Sequence, residues 1–329
     1  MGNKIFVLIN EGKIGGFTEK PKLIETVISR VFIFDKENIV LKFYKRDNDW
    51  WNSDMKDISK GPSRIQFIRN DFKFNHFLNP KTYFALKTAQ IVNGSVKLAE
   101  SKSDDDELVI VMHKEDIART FTSVLIKNTL TLDEYKNIGR TLAKVKISIP
   151  KDFLPGNKSN WYEQMKIRLQ DLAGWVSNEK DFPSEVANKA LELLNNELEK
   201  NKNKFQKINR NDLFVLIDCN SENLIYSDGN LRFIDAYSPK DDWQIGAFDV
   251  DVFRTGSDIY ALAEQNAFDA YLEGVNEVAG NYLDKSHSDF YLLYGATIMA
   301  PYFFMRSKKD KKYLPIAKKY LRFIMKLLK

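Results

Sequence analysis

"LIDCNSENLIYSDGNLRFIDAY", residues 216–237, places Asp218 at the end of an apolar run, Asn223 five residues on and Asp235 twelve further. Asp228-Gly229 is the strongest turn signal nearby, so residues 227–230 form a hairpin loop in which Tyr226 faces Leu231. Counting back along the ladder sets Asn223 opposite Ile234. Asn223 and Asp235 then flank the open end of the hairpin on neighbouring strands, roughly 5 Å apart. Two oxygen-bearing side chains at that spacing can share one hard cation, and Mg²⁺ needs few protein ligands when waters and phosphates complete its shell. Asp218, just before the loop, could aim its carboxylate at whatever the metal holds, which is the apparatus of phosphoryl transfer. Taken one at a time, all three read equally well as turn and strand-end residues.

Outward from this segment, β signals dominate the first third of the chain. The runs 27–34 (VISRVFIF) and 39–45 (IVLKFYK) are β-branched and aromatic, with the turn DKEN between them. Apolar residues near helical spacing follow over 63–78, and the stretch 104–116 (DDDELVIVMHKED) holds an apolar strand between charged borders. Thr131 with Glu134 makes a capping box for a helix running to about Ile147. Trp161, Met165, Leu169 and Leu172 form a helical stripe, as do Val186, Ala190, Leu193, Leu194 and Leu198. A β-rich first part and a mostly helical remainder imply an α+β chain of two lobes, 1–115 and 116–329, joined near His113 to Asp116.

The chain of 329 residues is 43% hydrophobic and 29% charged, with a single cysteine, Cys219. That excludes a disulfide framework and fits a reducing, cytoplasmic setting. No apolar run reaches the ~18–20 residues of a membrane span, and the N-terminus lacks signal-peptide and myristoylation patterns. The net charge of +5 is local: residues 307–329 carry +8, leaving −3 for the rest. Lys318, Lys319, Arg322, Lys326 and Lys329 alternate with apolar residues as an amphipathic terminal helix. It is expected to dock with its basic face solvated, where it could also meet an acidic partner; nucleic acid is not an expected ligand. His76, His113 and His287 are isolated, which argues against zinc. Cys219 reads as a packed loop residue.

With these residues in place, the segment resembles the catalytic loop of the aminoglycoside phosphotransferase-like and choline kinase-like family, in an uncharacterised bacterial branch. That family has a bilobal protein-kinase-like fold. "LIETVISRVFIFDKENIVLKFYKR", "RNDFKFNHFLNPKTYF", "LTLDEYKNIGRTLAKVKI" and "DFYLLYGATIMAPYFF" are similar to its other segments, in the same order and over about residues 22–325. The resemblance implies an ATP- or GTP-dependent transfer of the γ-phosphate to a hydroxyl of a small hydroxylated or cationic molecule. Asp218 would accept or orient the hydroxyl proton, Asn223 and Asp235 would hold Mg²⁺, and Lys42 would contact the nucleotide phosphates. Asp71 would be the acidic partner of Lys42, and Met112 and His113 would meet the adenine. The chain departs from the pattern at Leu216, where a His is usual, at Asn220, often basic, and at Asp71, one methylene short of Glu; Val27 also stands where the branch often has His. A pseudokinase that binds nucleotide without transfer is the alternative. A protein kinase fits less well, because residues 236–248 leave little room for an activation segment. Asp241, Asp242, Asp249 and Asp251 are acceptor-site candidates, with Asp249 or Asp251 alternatively bracing the loop.

Overall fold

Between Lys22 and His113 the β-rich runs pair into one antiparallel sheet. Its strands are β1 (Lys22–Glu25), β2 (Ser29–Phe34), β3 (Ile39–Tyr44), β4 (Tyr83–Val92), β5 (Ser95–Glu100) and β6 (Leu108–His113), in the order β1-β2-β3-β6-β4-β5. The computed structural model describes residues 2–102, 107–154, 156, 160–208 and 212–329; the acidic border 104–106 lies outside them. The chain is α+β and divides into two compact units, Met1–Asp116 and Ile117–Lys329.

In the first unit the period-2 alternation of the strands sorts side chains onto two faces. Phe32, Phe34, Leu41 and Phe43 are buried with Ile5, Leu8 and Ile9 of α1 (Gly2–Asn10). Lys42 and Tyr44 share the other face of β3, toward α3 (Gly61–Leu78); the short α2 (Asp49–Asp54) lies between them in sequence. Several elements of this unit are missing from the sequence reading: β1, α2, α1 and the β4–β5 hairpin. Helix α1 is a single apolar run too short to display a period. The β4–β5 hairpin turns at Asn93-Gly94, both at positive φ (50° and 78°), with Val92 opposite Ser95. Asn-Gly is the signal that could have found it.

The second unit is helical around two small strand pairs. Helices α4 (Phe121–Lys127), α5 (Leu132–Ser148), α6 (Trp161–Asn178), α7 (Ser184–Lys200) and α8 (Lys202–Lys207) come first. Strands β7 (Phe214–Val215), β8 (Leu224–Ser227), β9 (Asn230–Phe233) and β10 (Ile245–Gly246) follow. Helices α9 (Phe248–Ala263), α10 (Gln265–Ala279), α11 (Ser288–Lys309) and α12 (Leu314–Leu327) complete it. The capping box on α5 is present in both directions: Glu134 N donates to Thr131 Oγ1 (3.3 Å) and Thr131 N to Glu134 Oε2 (2.8 Å). The stripe on α6 is buried throughout, and α12 buries Ile316, Ala317, Tyr320, Phe323 and Ile324 while Lys318, Arg322, Lys326 and Lys329 stay exposed. No helix among the described residues is long and apolar enough to cross a membrane.

Helices α5 and α10 cross at two glycines. A Cβ on Gly139 would meet the Tyr271 carbonyl oxygen at 2.1 Å, and one on Gly274 would meet that of Lys136 at 1.9 Å. Both obstacles are backbone, so neither can swing aside. Gly274→Ala should therefore cost about 3 kcal/mol or more, the upper range for overpacking a core, read as a lower midpoint in urea unfolding; an unchanged midpoint would contradict so close a crossing.

Candidate active site

Residues 216–223 carry almost no regular structure although most of them are buried, so each backbone group needs a designated partner. Leu216 N donates to Gln244 O and Asp218 N to Ala236 O, both at 2.9 Å. Ile217 N donates to Asp251 Oδ2 (3.0 Å) and Ser221 N to Asp258 Oδ2 (2.6 Å). Thr255 Oγ1 donates to Cys219 O at 2.9 Å. Three residues of α9 thus hold this loop.

Those acids are themselves compensated. Lys146 Nζ of α5 lies 2.6 Å from Asp251 Oδ2, both groups almost fully buried. Tyr320 OH of α12 donates to Asp258 Oδ1 at 2.6 Å. Burial pushes both carboxyls up from the usual range, with Lys146 opposing it at Asp251 and Arg254 at Asp258. Burial likewise pushes the Cys219 thiol well up, in keeping with a packed residue and not a nucleophile.

After the loop comes the hairpin. Strands β8 and β9 pair Leu224 with Phe233, Tyr226 with Leu231 and Ser227 with Asn230, around a two-residue Asp228-Gly229 turn at φ 54° and 74°. Ile234 N donates to Asn223 O at 2.9 Å, the pairing obtained by counting back from the turn. The turn is two residues tighter than the sequence count made it, without change of register.

At this open end the Asn223 side chain meets the Asp218 side chain and the Asp235 backbone. Asn223 Nδ2 donates to Asp218 Oδ2 (3.0 Å), to Asp218 O (3.0 Å) and, at 3.4 Å, to Asp235 O. Asn220 Nδ2 donates to Asp218 Oδ1 at 2.9 Å, so both carboxylate oxygens of Asp218 are aimed by amides. With its nitrogen so engaged, the Asn223 Oδ1 accepts no hydrogen bond among the described residues and is left as a hard oxygen donor. Asp235 is exposed and sits at φ +48°, a left-handed conformation that Asp tolerates better than most residues. Among the described residues no three His, Cys, Asp or Glu gather as a metal site; an amide and a carboxylate suit Mg²⁺, which keeps waters and phosphate oxygens as its other ligands.

The first unit contains the other candidates. Lys42 Nζ lies 3.7 Å from Asp71 Oδ2, with both side chains buried. Met112 and His113 end β6 opposite Val40 and Ile39, Met112 half-buried and His113 exposed and stacked on Phe84 at 4.5 Å.

Sequence reasoning missed several residues. Lys146, Asp258 and Tyr320 act on the loop through contacts 34 or more residues apart, with no local signal. Asn220 was read as a departure and proves to be a partner of Asp218. Asp249 and Asp251 are not acceptor-facing: both are buried, Asp251 braces the loop, and Asp249 Oδ1 accepts from Asp284 N at 3.0 Å.

No family model matches the chain, and no curated protein matches it in sequence. Solved structures match its whole length. The microcompartment-associated aminopropanol kinase aligns at TM-score 0.55 and 13% identity, covering 98% of this chain and 97% of that one. The fold is the aminoglycoside phosphotransferase and choline kinase fold. Choline kinase from Cryptosporidium parvum Iowa II aligns at TM-score 0.54 and 11% identity, over 99% and 95% of the two chains. APH(2")-IIia, solved with GDP and kanamycin, aligns at TM-score 0.54 and 8% identity, over 97% and 98%.

Burial also sets a pH dependence. It pushes the Asp249 carboxyl up to about 7 from its ordinary 3.8. The unfolded chain gives up this proton near pH 4 and the folded chain only near 7, so stability falls as pH rises through that window. Asp249→Asn should match the native protein at pH 4 and exceed it by on the order of a few kcal/mol at pH 8. Urea unfolding at the two pH values checks this; an equal deficit at both would remove titration as the cause.

Proposed function

We propose that the protein is a phosphotransferase that moves the γ-phosphate of ATP or GTP to a hydroxyl of a small molecule. The observation that carries this reading is the single amide of Asn223, whose nitrogen ties the Asp218 carboxylate to the backbone of Asp235. A general base and a cation clamp are thereby fixed in one register, which a chain built only to pack has no reason to keep.

Asp218 is the group that accepts or orients the acceptor hydroxyl proton, its carboxylate aimed by Asn220 and Asn223. Asn223 Oδ1 and Asp235 are the ligands that would hold Mg²⁺, whose charge would offset that of the phosphates. Lys42, paired with Asp71, contacts the phosphates, and Met112 and His113 meet the base. The buried brackets from α9 keep the base from relaxing away from its working position, a positional effect that counts for much in phosphoryl transfer. The neighbours in fold are named for aminopropanol and choline kinases, and one holds kanamycin. All three names share a nitrogen centre, amine or quaternary ammonium, on a molecule with at least one hydroxyl, and we take an acceptor of that class for this chain.

Calorimetry with ATP and GTP, with and without Mg²⁺, tests the reading on the native protein and on Asp235→Ala. Binding should require the metal and be lost with Asp235. Asp218→Asn should keep binding and lose turnover on an amino-alcohol panel by ~10²- to 10³-fold. Binding indifferent to Mg²⁺ and Asp235 would indicate a pseudokinase, and no nucleotide binding at all would remove the function.

A further inference from the structure

The ion pair between Lys42 and Asp71 is too long to be a charge-assisted hydrogen bond. At 3.7 Å the ammonium is about 1 Å beyond the 2.7–2.9 Å of such bonds. The position of Asp71 Oδ2 that a lysine would take is instead served by Tyr44, whose hydroxyl donates to it at 2.8 Å. Asn75 Nδ2 donates to Oδ1, also at 2.8 Å. Lys42 Nζ in turn lies 4.8 Å from the centroid of the Tyr44 ring, within reach of its negative face.

Tyr44 is placed for this by the strand and locked by its neighbours. It stands two residues after Lys42 on β3, so both project from one face. Its carbonyl accepts from the fully buried Arg64 at 2.9 Å, and its ring meets Phe67 edge-on at 5.0 Å. The side chain therefore has little freedom to turn.

We infer that Tyr44 is a positioning residue for Lys42: its hydroxyl reaches the short Asp71 carboxylate while its ring seats the ammonium. Asp71 acts on Lys42 across 3.7 Å with the phenol as the bridge between them. The consequence for nucleotide binding rests on the phosphotransferase reading above; the geometry of the ammonium does not.

Two substitutions separate this role from packing. Tyr44→Phe deletes only the hydroxyl. Asp71→Glu in that background adds about the volume the hydroxyl vacated, close to a volume-conserving exchange, and advances the carboxylate toward Lys42. Mg·ATP and Mg·GTP affinities should fall roughly tenfold in Tyr44→Phe, the scale of one hydrogen bond to a charged group, and recover in the double variant. In protein labelled with ¹⁵N-lysine, the Lys42 ammonium signal, assigned by its loss in Lys42→Arg, should broaden in Tyr44→Phe and sharpen again in the double variant. A packing role alone would lower the unfolding midpoint without rescue by the longer acid. Unchanged affinity and an unchanged ammonium signal in Tyr44→Phe would overturn the inference. Absent nucleotide binding in the native protein, with the ammonium signal still responding, would sink the phosphotransferase reading and leave the positioning role supported.

Discussion

Two carboxylates seven residues apart on α9 hold the loop on which the candidate site depends. Asp251 accepts from Ile217 N and Asp258 from Ser221 N, bracketing Asp218 between two fixed amides. A buried carboxylate is costly unless paired and fully hydrogen-bonded. Lys146 meets that need at Asp251 and Tyr320 at Asp258. The packing of α5 and α12 against α9 is thus a precondition of the loop, and the loop a precondition of where Asp218 points. The close crossing at Gly139 and Gly274 belongs to the same chain of dependence, because it fixes α5 and with it Lys146.

Burial divides the work. Asp218 and Asp235 are exposed, whereas Cys219, Asn220 and Ser221 between them are buried. Thr122 adds to the support, its N donating to Ser221 O at 3.1 Å and its hydroxyl sharing a 2.7 Å hydrogen bond with that of Ser221. Glu222 pairs with Arg306 of α11, whose guanidinium lies 4.0 Å over the Tyr313 ring. The two candidate carboxylates thus reach solvent, while Cys219, Asn220 and Ser221 are tied inward. Such a loop loses little entropy on meeting a ligand, since its geometry is already fixed by folding.

What was legible in the sequence follows the range of each interaction. The β8–β9 hairpin and its register were readable because Asp-Gly fixes the turn and a ladder counts itself. The α5 boundary was readable from Thr131 and Glu134, three residues apart, and the α6 face from its own period. The sheet was half readable: β2, β3 and β6 announce themselves, whereas β4 mixes polar residues into an irregular strand with a register shift near Tyr83. Lys146, Asp258 and Tyr320 look like ordinary helix residues, because their partners lie 37 to 105 positions away and only the folded chain brings them together. For the same reason the sequence left Asp249 and Asp251 open between an acceptor surface and a brace for the loop, and Asp251 proves to be the brace. A cluster of acids suggests a surface until the neighbours that bury it are known.

Three departures from the resembling family's pattern, at Leu216, Asn220 and Asp71, have an account in their neighbours. At Leu216 the usual His is absent; the leucine is buried, and a Cβ on Gly246 would come within 2.7 Å of its Cδ1, so it packs where a polar ring would need a partner. The loop there is held from α9 by groups acting on backbone amides, which are indifferent to the side chain at 216. At Asn220 a neutral amide replaces the frequent cation, and it spends its two ends within the loop, on Asp218 Oδ1 and on Glu222 N. That aims the Asp218 carboxylate but adds no positive charge. At Asp71 the shorter acid meets the Tyr44 hydroxyl, and the lost reach is made up on the strand and not on the helix. At Leu216 and Asp71 the hydrogen bonds run to another element, to Gln244 O and from Tyr44, whereas at Asn220 they stay within the loop.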